Sequence, residues 1–493
     1  MKFCASIFYS FEQMKKSLLP ILLFISSLLA AQTVVEVSNP SKLPAKTGKF
    51  KVIGKNNDGI VLRLFGSTDV IDVFDNELKL VTSKTIEFKN QDGLLQHVML
   101  NKTGAVIFYL QQDRKYSVLY AQPVNSKFIE TGKPVLIDSI LDRKELVASN
   151  LRFKTSPDQS QLMIYYPFFS MGKVDVIKFM CVDRALNLFY NKIVPVSRDE
   201  KELEYSKAFI DNNGNSFLIL KPESSGNGSS YEVIHLNNKG DFNTYTISTD
   251  KEIFGEPWFE LDNKNGNLVM TAFYDDHSKA GEPAANGILF NSFDPANGTT
   301  VSVNYSPFTK PFIAELTGRE NPTNLSLYTF NIRKSILRND GGMLLVAESF
   351  IKDSRDQIVP IGIQPGYNSY RTAEVFQFND IITFSINPRG QIEWSSIMRK
   401  KQSSEDDNGA FSSFITMNEK EQLRFVYLDE VASTGSLYNY VLSSTGQNTR
   451  DVLLNQEERD LLLLPKMGKQ ISPNELIIPS FKNGALRLVK IAF

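Results

Sequence analysis

The sequence predicts an all-β fold closed into a ring, a β-propeller, and three observations predict it. Short apolar strands and polar turns recur along the chain at a regular spacing, those strands are rich in aromatic and β-branched residues, and amphipathic helices are scarce. At 493 residues the length prior is about three domains, yet closed β architectures commonly exceed that prior within a single domain. The 35 Phe and 18 Tyr suit pleated, half-buried strands better than a helical bundle.

The first clear unit is Val70-Ile71-Asp72-Val73-Phe74-Asp75-Asn76-Glu77-Leu78, a strand running into a tight turn. Similar units follow at 176–186, 231–240, 288–298, 381–390 and 438–446, with a weaker one at 116–132. Their turns lie near 75, 123, 183, 237, 294, 387 and 443, a period of roughly 50 to 60 residues with one longer gap, as four-stranded blades stretched by loops produce. Each of these hairpins is expected to be preceded by another with its own turn, as at Asn101-Lys102-Thr103-Gly104, Ser156-Pro157-Asp158, Asp211-Asn212-Asn213-Gly214, 262–266 and Asn339-Asp340-Gly341-Gly342. Asn, Asp and Gly supply the positive φ that tight hairpins need.

Two hairpins per period make a blade, and units ending near 88, 137, 196, 247, 304, 397 and 454 make seven. The tail offers three more strands, at 461–464, 475–479 and 485–493, and residues 33–37 offer a fourth. Pairing the first strand with the last blade closes the ring and removes exposed edges, so eight blades are favoured, with seven as the runner-up. Two separate β domains, or an outer-membrane barrel, are the rival architectures. A barrel calls for unbroken lipid-facing alternation, whereas Leu461-Leu462-Leu463-Leu464 reads as buried on both faces.

The N-terminus predicts export. Lys15 and Lys16 precede an apolar run at 18–29 that ends in Ala30-Ala31-Gln32, which reads as a signal peptide over 1–31 followed by one propeller domain over 32–493. The run falls short of the ~20 residues of a membrane span, so no transmembrane segment is expected after its removal. Cys4 would leave with the signal, and Cys181, in an apolar strand, reads as a buried thiol. These features place the protein in the periplasm or outside a bacterial cell. A net charge of −1 provides no general attraction for a polyanion, so nucleic acid is not an expected partner, although a local cationic patch remains compatible with it.

Long insertions are expected at 275–286, 306–323, 352–372 and 399–410, all in blades five and six. Labelling the strands of a blade A to D, these insertions fall in B–C turns or D–A crossovers, which share one face of the ring. Long loops on a compact scaffold are frequently functional. Tyr367, Tyr370 and Arg371, with Lys401 and Gln402, are the candidate ligand-binding residues, since flat rings beside a cation and an amide suit a sugar or a peptide.

Catalytic and metal motifs are few. The three histidines, His97, His235 and His277, form no zinc-ligand spacing, and Asp275-Asp276-His277 is the best local metal or acid–base cluster. Asp262-Asn263-Lys264-Asn265-Gly266 imitates a calcium loop but carries Lys264 where a ligand belongs. Gly226-Asn227-Gly228 lacks the third glycine of a phosphate cradle, and no Gly-x-Ser-x-Gly elbow is present. For an enzyme, Glu348 and Asp380 are the acid pair to name, because glycosidic cleavage needs two carboxylates.

Gly341-Gly342-Met343-Leu344-Leu345-Val346-Ala347-Glu348, Asn379-Asp380-Ile381-Ile382 and Gly390-Gln391-Ile392-Glu393-Trp394 carry a resemblance, which Lys401-Gln402-Ser403, Asp407-Asn408-Gly409 and Ser412-Ser413-Phe414 continue. This stretch resembles a family of uncharacterised exported bacterial propeller-like proteins, which implies the fold and brings no activity. The Gly-x-Ile-x-Trp ending also resembles quinoprotein-type blades, but one such Trp implies no quinone, and no cofactor or metal is expected. The expected function is a binding or scaffold protein of the bacterial envelope that engages a glycan, a peptide or an envelope protein. The alternative is a carbohydrate-active hydrolase or lyase on the same fold.

Overall fold

The computed structural model describes residues 33–493 apart from 44–48, 89–92, 113–115, 141–149, 171–172, 200–206, 226–227, 277–282, 361–367 and 433. The segment read as a signal peptide lies outside the described residues, as do His277 and Tyr367. Strands pair into eight antiparallel sheets, six of four strands and two with a short fifth. Blade one shows the pattern: Phe50–Lys55, Ile60–Leu64, Val70–Phe74 and Leu80–Thr85 form strands A to D in chain order.

A strand buried on both faces is largely apolar, and the middle strands of the blades carry most of the core. Ile60–Leu64 of blade one and Leu268–Asp275 of blade five are buried at every residue. Their side chains fill eight apolar clusters, one between each neighbouring pair of blades around the whole ring. The A strands of neighbouring blades meet around the central axis, for example those of blades eight, one and two. On one face the A–B turns are stitched from blade to blade. The Asp158 amide donates to Asn212 Oδ1 (3.1 Å), and the Asn212 amide donates to Asn263 Oδ1 (3.2 Å).

Blade eight closes the ring as expected. Val34–Val37 is its outer strand and pairs antiparallel with Ala485–Ala492, with Val34 opposite Ala492 and Val37 opposite Val489. The inner strand differs from expectation. The continuous strand A is Lys469–Ser472, whereas the Leu461–Leu464 run makes only a β-bridge from Leu463 to Ser480. Pro465 opens a 3-10 turn directly after Leu464 and breaks the strand in two. Leu461 and Leu463 are fully buried between blades seven and eight, as their apolar character demands.

The insertions also differ from expectation, because three of the four are regular structure. Residues 306–323 hold a helix, Lys310–Thr317, in which Thr309 Oγ1 accepts from the Phe312 amide, Pro311 occupies the first turn and Gly318 ends it at φ 68°. Phe312, Ile313 and Leu316 seat it on the core between blades five and six. Residues 352–372 continue strands B and C of blade six, Met343–Pro360 and Asn368–Ile386, as a two-stranded arm beyond the blade. Residues 399–410 contain Gln402–Glu405, which pairs with Val375–Phe378 as a fifth strand.

Candidate functional site

On the B–C and D–A face of blades five and six, Arg399 joins the two D–A crossovers. Its guanidinium donates to the carbonyls of Leu316 (2.8 Å) and Glu315 (2.5 Å), capping the helix C-terminus, and to Asp380 Oδ2 (2.6 Å). A cation there meets the negative end of the helix dipole and otherwise unpaired carbonyls. The 275–286 connection joins the group through a β-bridge from Ala285 to Leu327 and a hydrogen bond from Asn286 Nδ2 to Ser326 Oγ (2.9 Å). The arm is tied to the fifth strand by an ion pair between Arg371 and Asp406. The described residues of the four insertions are therefore cross-tied on one face as an insertion platform.

Of the five candidate ligand residues Tyr367 lies outside the described residues, and the other four divide. Arg371 is exposed while paired with Asp406, and Lys401 is exposed. Tyr370 lies on the arm opposite Ile358 in the backbone register. Gln402 is buried and its amide is spent internally: the oxygen accepts from Lys400 Nζ (2.8 Å) and the Ser413 amide (2.8 Å), while the nitrogen donates to the Leu428 carbonyl (2.6 Å). It holds the insertion to the blade.

The proposed acid pair is likewise occupied. Glu348 is fully buried against Lys400 Nζ (2.7 Å), Arg333 Nε (3.1 Å) and the Ser413 hydroxyl (2.7 Å), and Asp380 serves Arg399 and the Lys400 amide (3.1 Å). Burial pushes the Lys400 ammonium down, and the Glu348 charge pulls it back up. A buried charge persists only when paired, and here the pairs join strand B of blade six to the crossover that follows it.

The remaining motifs settle into structural roles. Asp211 Oδ1 accepts from the Asn213 (2.9 Å) and Asn215 (2.8 Å) amides, as a turn carboxylate does. Asp276 pairs with Lys251 (2.5 Å). Cys181 is buried, and burial pushes its thiol up to about 12. Among the described residues no group of three His, Cys, Asp or Glu side chains is placed to hold a metal ion. Within them, no helix is long and apolar enough to cross a membrane.

The central channel was not singled out by the sequence, and it holds the second notable geometry. A cavity of about 550 Å³ lies between the A strands of blades three, four and five, lined by Lys154, Lys207, Phe153, Phe209, Trp258 and Glu260. A second, of about 470 Å³, lies toward blades eight, one and two, lined by Lys51, Arg63, His97 and Lys469; Thr155 and Pro157 line both. The signal for these residues is a lysine in strand A of several blades, which becomes visible once strand A is known.

No protein-family model matches the chain, and no curated protein matches it. Among solved structures, polysaccharide lyase Uly1 is similar at TM-score 0.36 and 11% identity, covering 83% of this chain and 91% of that one. The uncharacterized protein lmo1340 from Listeria monocytogenes EGD-e is similar at TM-score 0.36 and 9% identity, covering 81% and 95%. A puromycin hydrolase is similar at TM-score 0.36 and 10% identity, covering 88% of this chain and 58% of that one. The eight-bladed propeller stands on this chain's own strand pairing and its eight interblade cores.

Proposed function

We propose that this protein is an exported binding or scaffold protein of the bacterial envelope, and that it presents the insertion platform of blades five and six to a glycan, a peptide or an envelope protein. The observation that carries this reading is that four insertions of two adjacent blades lie on one face and are cross-tied there, the two crossovers by Arg399, the arm by Arg371–Asp406 and the 275–286 connection by the Ala285–Leu327 bridge. Ordering long surface segments costs conformational entropy, and a preorganised surface loses less of it on binding. The hydrolase or lyase alternative is not favoured, because Glu348 and Asp380 are held by separate cations.

Shortening the arm tests the binding half. Residues past Asp353 in strand B pair only with the arm's other strand, so replacing 356–372 with Asn-Gly, between the paired Arg355 and Ala373, keeps the five-stranded blade. On a panel of envelope glycans and peptides, the shortened protein is expected to lose the ligands that the full chain retains, with its melting temperature nearly unchanged. Retention of every ligand overturns the assignment to this face. The export half rests on the 15–32 segment. Native protein is expected to begin near Gln32 on N-terminal sequencing, and a start at Met1 or Met14 refutes it.

A further inference from the structure

The cations of the channel come from A strands of different blades, so the fold distributes them around the wall. Lys51 belongs to blade one, Lys154 to blade three, Lys334 to blade six and Lys469 to blade eight. Lys334 sits between its neighbours, with Nζ donating to Thr416 Oγ1 of blade seven (2.7 Å); burial pushes its ammonium down, and Glu260 of blade five pulls it part of the way back up. Lys469 donates to the Ile53 carbonyl, whereas Lys51 has no hydrogen-bond or ion-pair partner among the described residues.

The charges act on one another. Burial and then Lys51 push the Lys469 ammonium down, and burial with Lys51, Arg63 and Lys469 pushes His97 down to about 4. Glu260 is the carboxylate of these two cavities. Its Oε1 accepts from Trp258 Nε1 (2.9 Å), and burial pushes its pKa up while the Trp258 hydrogen bond, Lys154 and Lys334 pull it back down. Arg63 is paired with Asp69 and Lys207 with Glu256, whereas Lys51, Lys154 and Lys469 have no carboxylate within ion-pair distance among the described residues, and an anion would relieve their charge.

Aromatic faces alternate with these charges. Phe153 is stacked on His97 (5.1 Å between centroids), and Lys154 Nζ lies 5.3 Å from the centroid of Phe209. Phe153, Phe209 and Trp258 are each partly exposed. Phosphate sites gather backbone amides or arginine forks on one point. Here point charges are spread over several strands and separated by flat apolar surface. That spacing matches a chain of rings carrying one anion each.

We propose that the central channel is a second binding site, one for an acidic oligosaccharide whose carboxylate or sulfate groups meet Lys51, Lys154 and Lys469 and whose sugar rings stack on Phe153, Phe209 and Trp258. Both cavities reach residues of the A–B turns, Pro157 in each and Asn263 in the first, so they lie toward the face opposite the insertion platform. The proposal is independent of the reading given to that platform.

Calorimetric titration of the full chain tests it, with a galacturonate hexamer, a heparin-derived hexasaccharide, neutral maltohexaose, inorganic phosphate and ATP as probes. One or both acidic hexamers are expected to bind, more weakly as salt rises, while maltohexaose does not. Lys51→Gln and Lys154→Gln are each expected to weaken that binding about tenfold. Lys51→Gln is also expected to hold or raise the melting temperature of the unliganded protein, because it removes a repelling charge; a structural lysine would lower it. Carboxylate and sulfate sources are separated by which hexamer binds more tightly. Failure of both acidic hexamers overturns the proposal, as does equal binding by both variants, or tighter binding of phosphate or ATP. The arm-shortened protein is expected to bind the acidic hexamer unchanged, and its loss there would move the site to the platform.

Discussion

His97 shows how one side chain reports the charge of its surroundings. The ring is stacked on Phe153, its Nε2 lies 3.4 Å from Thr155 Oγ1, and burial with three nearby cations holds its pKa near 4 rather than the usual 6.5. Between those two pH values the unfolded chain binds a proton that the native chain refuses. Stability therefore falls as pH drops through that window, by at most about 3 kcal/mol for this one group. His97→Phe keeps the stack and removes the titration. Urea unfolding at pH 7 and pH 4.5 is expected to show a smaller acid loss in the variant than in the parent chain. An equal loss in both would place the acid sensitivity elsewhere. The Glu348–Lys400 pair illustrates the opposite case, a buried charge answered within 2.7 Å and therefore fixed in place.

The C–D turns explain why most of the fold was legible. In blade after blade an Asp or Asn side chain accepts from the amides two and four residues on: Asp75 from Glu77 and Lys79, Asn125 from Lys127 and Ile129, Asn387 from Arg389 and Gln391. The residue at the turn's end takes positive φ, as Leu78 and Phe128 do in blades one and two and Gly390 and Gly446 in blades six and seven. Space decides which: a Cβ on Gly446 would sit 2.7 Å from the ring of Trp394 in the preceding blade, whereas Leu78 and Phe128 bury their side chains in the seams. The lone Trp of the Gly-x-Ile-x-Trp ending is thus a packing partner of the next blade's turn. What escaped sequence reasoning shares one cause. The arm residues 351–356 are exposed at every position and show no alternation, and the fifth strand Gln402–Glu405 and inner strand Lys469–Ser472 are polar. Apolar periodicity finds strands buried in seams and misses strands that face water. The helix at Lys310–Thr317 is too short for a periodic signal, although Thr309, Pro311 and Gly318 mark its ends. The channel lysines carry no motif at all, because only the ring brings them together.

Eight seams of comparable make-up close on themselves, so the molecule has no terminal blade. The seam that holds the ring shut is built from both ends of the described chain. Val35 and Val37 pack beside the fully buried Val489 and Ile491, and the Arg424 guanidinium lies 4.1 Å from the centroid of the Phe493 ring. Deleting Val489–Phe493 removes those apolar groups and unpairs Val34–Val37, leaving unpaired backbone along two strands. Each buried aliphatic side chain lost costs roughly 2–5 kcal/mol, so the deletion is expected to remove at least about 5 kcal/mol, a large part of a typical domain's stability. As a control, Val303→Ala, on the exposed outer strand Thr299–Pro307 of blade five, is expected to change stability by under about 0.5 kcal/mol. Urea unfolding measures both, and hydrogen exchange locates the damage. Loss of protection in blade four, across the ring from the cut, shows that closure couples all eight blades. Full protection there, with exchange confined to blades seven, eight and one, would show instead that the blades are held by neighbour contacts alone and that closure adds little.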